Sequence, residues 1–214
     1  MYKKTENIKI ITSVAMLSAL AFAARLVFKI PVGFLTFDVK DAIIVLGGLI
    51  FGPISGVVMA LLVSLLEMII SETGPIGFVM NFVSSATFCG VASLIYKFKR
   101  TLNGAVIGLL SSVVVTTAVM LLMNVLLTPI YQGVDRSIVI SMLPTLFLPF
   151  NFAKTLLNSS IVMFIYKPVV TALRKAKIIS VSSKALKFNR STVCILLIGA
   201  VAMAVSIAIF VAIS

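Results

Sequence analysis

Pro149-Phe150-Asn151-Phe152-Ala153-Lys154-Thr155-Leu156-Leu157-Asn158 sits in an apolar run from about Thr145 to Tyr166, long enough to cross a bilayer. Two amides and a cation interrupt that run. Their spacing of three and then four residues puts Asn151, Lys154 and Asn158 on one face of a helix. A lysine at membrane depth is costly unless it faces a partner, a cavity or a ligand, so by default it marks a functional site. Snorkelling to the interface, or a bond to a backbone carbonyl, is the plain alternative. The two amides on the same stripe favour a site.

Working outward, the rest of the chain agrees with a membrane setting. Of 214 residues 61% are hydrophobic, the mean hydropathy is +1.22, and the apolar residues come in runs near membrane-spanning length. The reading is an all-α polytopic membrane protein. There is no His, and Cys89 and Cys194 stand alone in apolar runs, so neither a metal site, a Cys/His catalytic pair nor a disulfide framework is expected. The net charge of +12 falls at the ends of apolar runs, which is membrane topology rather than nucleic-acid binding.

Residues 1–9 carry Lys3, Lys4 and Lys9 ahead of a first apolar run, Ile10 to Phe28. Such a start, with Ala21-Phe22-Ala23 as a cleavage site, also describes a signal peptide. Spanning length and a stripe of small residues, Ala15, Ala19 and Ala23, favour a retained helix, and packing within the bundle is the simplest reading of the stripe. Residues 29–41 form a loop broken by Pro31 and Gly33. Asp38 and Asp41 at its end are placed to cap the next helix, or to contact a ligand.

The second run, Ala42 to Phe51, is short and ends at Gly52-Pro53, and the third runs from Ile54 to Ile70; tilted or re-entrant helices fit these lengths. Gly52, Gly56, Ala60 and Ser64 give a second small-residue stripe, internal or for a partner. Glu67 is the only acid in an expected span, and an interfacial position is expected for it. A fourth helix (Ile76 to Tyr96) carries Asn81, and a fifth (Gly104 to Leu127) carries Asn124. Residues 128–144 read as a loop before the sixth helix. A basic segment from Lys167 to Arg190 precedes a seventh run, Thr192 to Ile213.

Charge sets the orientation. With the N-terminus cytoplasmic, 13 Lys/Arg fall inside and four (Arg25, Lys29, Lys40, Arg136) outside. Asn81, Asn124, Asn151 and the 29–41 loop then gather in the outer half, as for a pocket open to the outside.

Four stretches carry a family resemblance: the Ala15/Ala19/Ala23 stripe; Leu35-Thr36-Phe37-Asp38-Val39-Lys40-Asp41; Phe51-Gly52-Pro53-Ile54-Ser55-Gly56 with Gly74-Pro75-Ile76-Gly77 and Asn81-Phe82; and Pro149-Phe150-Asn151 with Lys154. Over residues 5–178 the chain resembles the substrate-binding (S) components of energy-coupling factor (ECF) vitamin transporters, most of all the riboflavin-specific branch. The resemblance implies a six-helix S-component bundle over residues 1–178; residues 179–214 read from charge and hydropathy as a basic linker and an additional seventh, C-terminal transmembrane helix. It implies a vitamin bound from outside, with the first loop as lid. Asn151 and Lys154 would touch the ligand, Asn81 and Asn124 would line the pocket, and Thr36 and Asp38 would belong to the lid. Phe150 and Phe152 are candidate walls. Ala15, Ala19 and Ala23 would dock on a transmembrane coupling subunit whose two ATPase partners drive release inward.

Val63-Ser64-Leu65-Leu66-Glu67 departs from the flavin branch, which shows Lys and Asn there, and Asn124 sits one residue closer to Pro129. Another vitamin, such as pantothenate or biotin, therefore stays open. A membrane-embedded enzyme lacks an acid pair, a His or a metal cluster, and an assembly protein would not need Lys154 for ligand binding. No Gly-rich Lys-Ser/Thr nucleotide loop occurs, so no cofactor is expected and ATP hydrolysis would come from partners. The seventh run lies outside the six-helix pattern and is expected to be dispensable for binding.

Overall fold

A computed structural model describes residues 2–71, 73–175 and 190–213. The elements in chain order are α1 (Tyr2–Val27), a hairpin of β1 (Ile30–Val32) and β2 (Leu35–Phe37), α2 (Lys40–Phe51), α3 (Pro53–Ile70), α4 (Gly74–Phe98) and α5 (Leu102–Gln132). Then come α6 (Arg136–Met142), a π-helical turn at Leu143–Phe147, α7 (Leu148–Lys175) and α8 (Arg190–Ile213). Among the described residues, six segments are long and apolar enough to cross a membrane: α1, α3, α4, α5, α6 with α7, and α8. The boundary expected at 178/179, and the basic residues Lys177, Lys184 and Lys187, lie outside the described residues.

The short second run does not make a span by length. At 12 residues α2 is about 18 Å long against a hydrocarbon core of about 30 Å. It is instead the central helix, buried from Lys40 through Leu49 at most positions and packed by α1, α3, α4 and α7. Small residues let its neighbours close in. A Cβ at Gly56 would overlap Cys89 Sγ and stand 2.9 Å from the Gly48 Cα, and one at Gly108 would stand 2.7 Å from the Ala92 carbonyl. The second small-residue stripe is thus internal, with Gly56, Ala60 and Ser64 buried.

The first stripe behaves the opposite way. Val14, Ser18, Ala21 and Arg25 form the buried face of α1, while Ala15, Ala19 and Ala23 are exposed. Packing inside the bundle, the simplest reading from spacing, is corrected: the stripe looks outward. Spacing alone shows which residues share a face and not which way that face points.

Two loop readings also change. The 29–41 loop contains the hairpin, paired Ile30 to Phe37, Pro31 to Thr36 and Val32 to Leu35, with Gly33 at φ 56° in its two-residue turn. Residues 128–144 are mostly helix. Pro129 lies inside α5, which ends at Gly133 (φ 65°), and the chain re-enters a helix at Arg136. A proline removes one donor, and α5 continues through that loss for one more turn. The π-helical turn is bracketed by Pro144, at its start, and Pro149, just past its end.

Candidate functional site

One end of the bundle collects the C-terminal ends of α1, α3 and α5, the start of α4, the start of α7 and the hairpin. Between them lies a cavity of about 520 Å³. Thr36, Asp38, Asn81, Asn124, Asn151 and Lys154 all line it. Phe150, named above as a candidate wall, lines it as well. Arg25, Phe34 and Tyr131 line it too, and nothing in their spacing announced them. Phe152 does not; it packs against the main hydrophobic core.

The hairpin forms one wall. Its Thr36 and Pro31 pair lines the cavity, and its opposite face, Val32 and Phe37, is buried against Phe150 and Ala153 of α7. At the tip, the Phe34 ring lies 6.2 Å from Tyr131 of α5 and 5.9 Å from Phe147. Lys154 latches the C-terminal strand: its Nζ donates to Asp38 Oδ2 at 2.9 Å and to the Thr36 carbonyl at 3.3 Å. Asn158, one turn on, donates to the Asp38 carbonyl and to the Lys154 carbonyl, each at 2.9 Å, and its Oδ1 accepts from the Ala42 amide at 2.8 Å. The α7 stripe of amide, cation and amide is therefore split in use. Asn151 and Lys154 reach the cavity, and Asn158 fastens the loop to α2.

Of the two aspartates expected to cap α2, Asp38 does accept from a first-turn amide, that of Lys40 at 3.3 Å, whereas Asp41 lies inside the helix and turns to Ser85. Val39 is the N-cap of α2 and makes no side-chain cap bond. Asn158, from a helix 116 residues away in sequence, accepts from the Ala42 amide, which has only a longer 3.3 Å bond to the Val39 carbonyl besides. Asp38 pairs with Lys154, and Asp41 accepts a 2.5 Å hydrogen bond from Ser85 Oγ.

Glu67 is likewise not an interfacial group. It is fully buried, with Lys40 Nζ donating to its Oε2 at 2.5 Å and Arg25 Nε 2.6 Å from its Oε1. The Arg25 contact is an ion pair without hydrogen-bond geometry. Among the described residues, three cations (Arg25, Lys40, Lys154) and three carboxylates (Asp38, Asp41, Glu67) are thus buried beside the cavity, and the charges of these six balance. A buried charge persists only when so paired. Burial alone would raise the Asp38 carboxyl, but the fields of Lys154, Lys40 and Arg25 together hold it below its ordinary value. All of these charges except Lys154 sit at or near helix ends, where apolar run length does not announce burial.

The amides are partly spent. Asn124 donates to the Met120 carbonyl at 2.7 Å and accepts from Thr128 Oγ1 at 3.1 Å, while Asn151 donates to the Phe147 carbonyl at 2.8 Å. Each amide nitrogen carries a second donor, so both side chains keep hydrogen-bonding capacity for the cavity. The cavity falls in the size range of small-molecule sites and mixes aromatic walls with a few fixed polar groups.

The sequence model of the family described as "ECF transporter, substrate-specific component" matches residues 9–170. The chain is 31% identical over 180 residues to the riboflavin transporter RibU of Staphylococcus aureus (strain TCH60), covering 79% of this chain and 94% of that protein. It is 29% identical over 188 residues to the riboflavin transporter FmnP of Bacillus subtilis (strain 168), covering 80% of this chain and 99% of the relative. Among solved structures it resembles the S component of a bacterial ECF transporter with a TM-score of 0.66 and 30% identity, over 80% of this chain and 99% of that one.

Proposed function

The chain belongs to the substrate-specific components of ECF transporters, and we propose that riboflavin is the vitamin it binds and takes up. The observation that carries this reading is the charge balance around the cavity. Lys154 is matched by Asp38 and Arg25 by Glu67, and the further lining cation, Lys29, is exposed to solvent, so the buried part of the site offers amides, hydroxyls and aromatic rings to an uncharged ligand. Riboflavin is neutral, with a flat three-ring system, an imide edge of alternating donors and acceptors, and a polyol chain. Asn81, Asn124 and Asn151 supply both donors and acceptors for such edges. Phe34, Tyr131 and Phe150 supply apolar walls. Thr36, Asp38 and Lys154 close the lid, and Lys154 has donors left for a ligand carbonyl. A carboxylate vitamin such as pantothenate or biotin would place its negative charge beside that of Asp38 in the same cavity.

The N-terminus is cytoplasmic and the cavity opens outward. Arg25 and Lys40 are buried in ion pairs, which leaves Lys29 and Arg136 as the cations on that side, while Lys97, Lys99, Arg100 and Lys167 lie at the other end. The exposed Ala15, Ala19 and Ala23 face is smooth enough for a transmembrane coupling subunit to approach closely. Two ATPase subunits of the same energy-coupling module would supply hydrolysis, since this chain holds no nucleotide loop. An absorbance and fluorescence spectrum of protein purified gently in detergent tests the ligand. A flavin spectrum, or quenching of added riboflavin, is expected. Colourless protein that leaves riboflavin fluorescence unchanged would refute it, and mass spectrometry of the extracted ligand would name the replacement.

A further inference from the structure

We propose that α8 is a fixed backrest for the lid, with Phe210 the positioning residue that holds Phe37, and so the hairpin, in the closed arrangement. The inference rests on the reading of the hairpin as the lid of a ligand cavity. The family match ends at residue 170, so α8 lies beyond the portion shared with it.

The geometry is specific to the hairpin's far side. Ile195, Gly199, Ala202 and Ser206 form the inner face of α8, and Gly199 brings the backbone close to Met163 and Phe164 of α7. Ser206, fully buried, donates from Oγ to the Ala153 carbonyl at 2.7 Å. Ala153 immediately precedes Lys154, the residue that latches Thr36 and Asp38. One turn of α7 therefore anchors α8 with its backbone and the lid with its side chain. Past that anchor, Ile209, Phe210 and Ile213 pack against the cluster of Val32, Phe37, Phe150 and Ala153. The Phe37 ring is held between Phe150, 6.0 Å away, and Phe210, 5.0 Å away.

A two-stranded hairpin with three-residue strands does not hold its shape alone. Its cavity face has a polar latch, and its other face needs an apolar surface that stays in place. Phe150 supplies part of that surface and α8 supplies the rest. Truncating Phe210 removes one of the two rings that confine Phe37 and shifts the lid toward open states. An aromatic pair of this kind makes the expected shift on the order of tenfold.

The test uses the full chain with no ligand present and compares hydrogen exchange of the hairpin amides in wild type, Phe210→Ala and Phe210→Leu. Exchange at residues 32–37 is expected to speed up on the order of tenfold in Phe210→Ala, with Phe210→Leu in between and the α3, α4 and α5 amides unchanged. Riboflavin release should quicken by a similar factor. Unchanged hairpin exchange in Phe210→Ala would overturn the proposal. So would acceleration spread evenly over all helices, which would make Phe210 an ordinary packing residue. Should wild-type protein bind no flavin, the substrate assignment falls, and the exchange comparison still decides the role of α8.

Discussion

Replacing Lys154 by methionine removes a cation and keeps an apolar stem of similar length. The lost contacts are the 2.9 Å hydrogen bond to Asp38 and the 3.3 Å one to the Thr36 carbonyl. Stranding a wholly uncompensated buried charge costs about 3–5 kcal/mol. Asp38 keeps the Lys40 amide at 3.3 Å and the fields of Lys40 and Arg25, so the cost falls toward that of a charge-assisted hydrogen bond, about 2 kcal/mol. That energy is lost from lid closure, so riboflavin should bind roughly 30-fold more weakly. Asp38→Asn should do similar damage by leaving Lys154 without its counter-ion. The double variant K154M/D38N should recover most of the loss, since neither charge is then stranded. Fluorescence-quenching titrations of the three purified variants, each with its thermal unfolding curve, measure this directly. Two results would refute the reasoning: single variants that bind within twofold of wild type, or a double variant whose loss is the sum of the two.

Glu67→Gln removes the carboxylate that both Arg25 and Lys40 contact and leaves them only the more distant field of Asp38, and should cost about 2–4 kcal/mol of stability, read as a lowered unfolding temperature in detergent; an unshifted transition would contradict the pairing. Replacing Ala15 and Ala19 with leucine should abolish uptake by cells while the purified protein binds riboflavin as before, because both side chains face outward. Weakened binding in detergent would show instead that the face matters to the fold. The depressed Asp38 carboxyl sets the pH response: its ion pair is fully present above the ordinary value of 3.8 and is lost only as pH falls through the lower folded value. Affinity should therefore be flat from pH 8 to pH 5, and an acid-side loss with a midpoint above 3.8 would show that Asp38 is not held ionised.

Much of the fold was legible because hydrophobic run length reports spans directly, and each spanning helix falls where an apolar run does. The cavity residues were legible for a related reason. An amide or cation inside such a run needs a partner or a cavity, and Asn81, Asn124, Asn151 and Lys154 all turn to one cavity. What stayed hidden was direction and partnership. Arg25, Lys40 and Glu67 look like ordinary loop-side charges until the helix ends are brought together. Asn158 looks like a ligand group until the Ala42 amide is found beside it. The hairpin is too short for a two-residue alternation to stand out. Pro129 suggests a loop because sequence cannot show that the surrounding helix outlasts one missing donor. The contact of α8 with the lid depends on packing between residues more than 170 positions apart, which no local pattern carries.

The buried set of three cations and three carboxylates also governs how this chain can drift over generations. A substitution that changes the charge at Arg25, Lys40, Lys154, Asp38 or Glu67 strands a partner, so a viable lineage must exchange these residues in matched sets rather than singly. Descendants that take up a charged nutrient in the same cavity would have to pass through such a matched exchange, or recruit the ligand's own charge as the missing member.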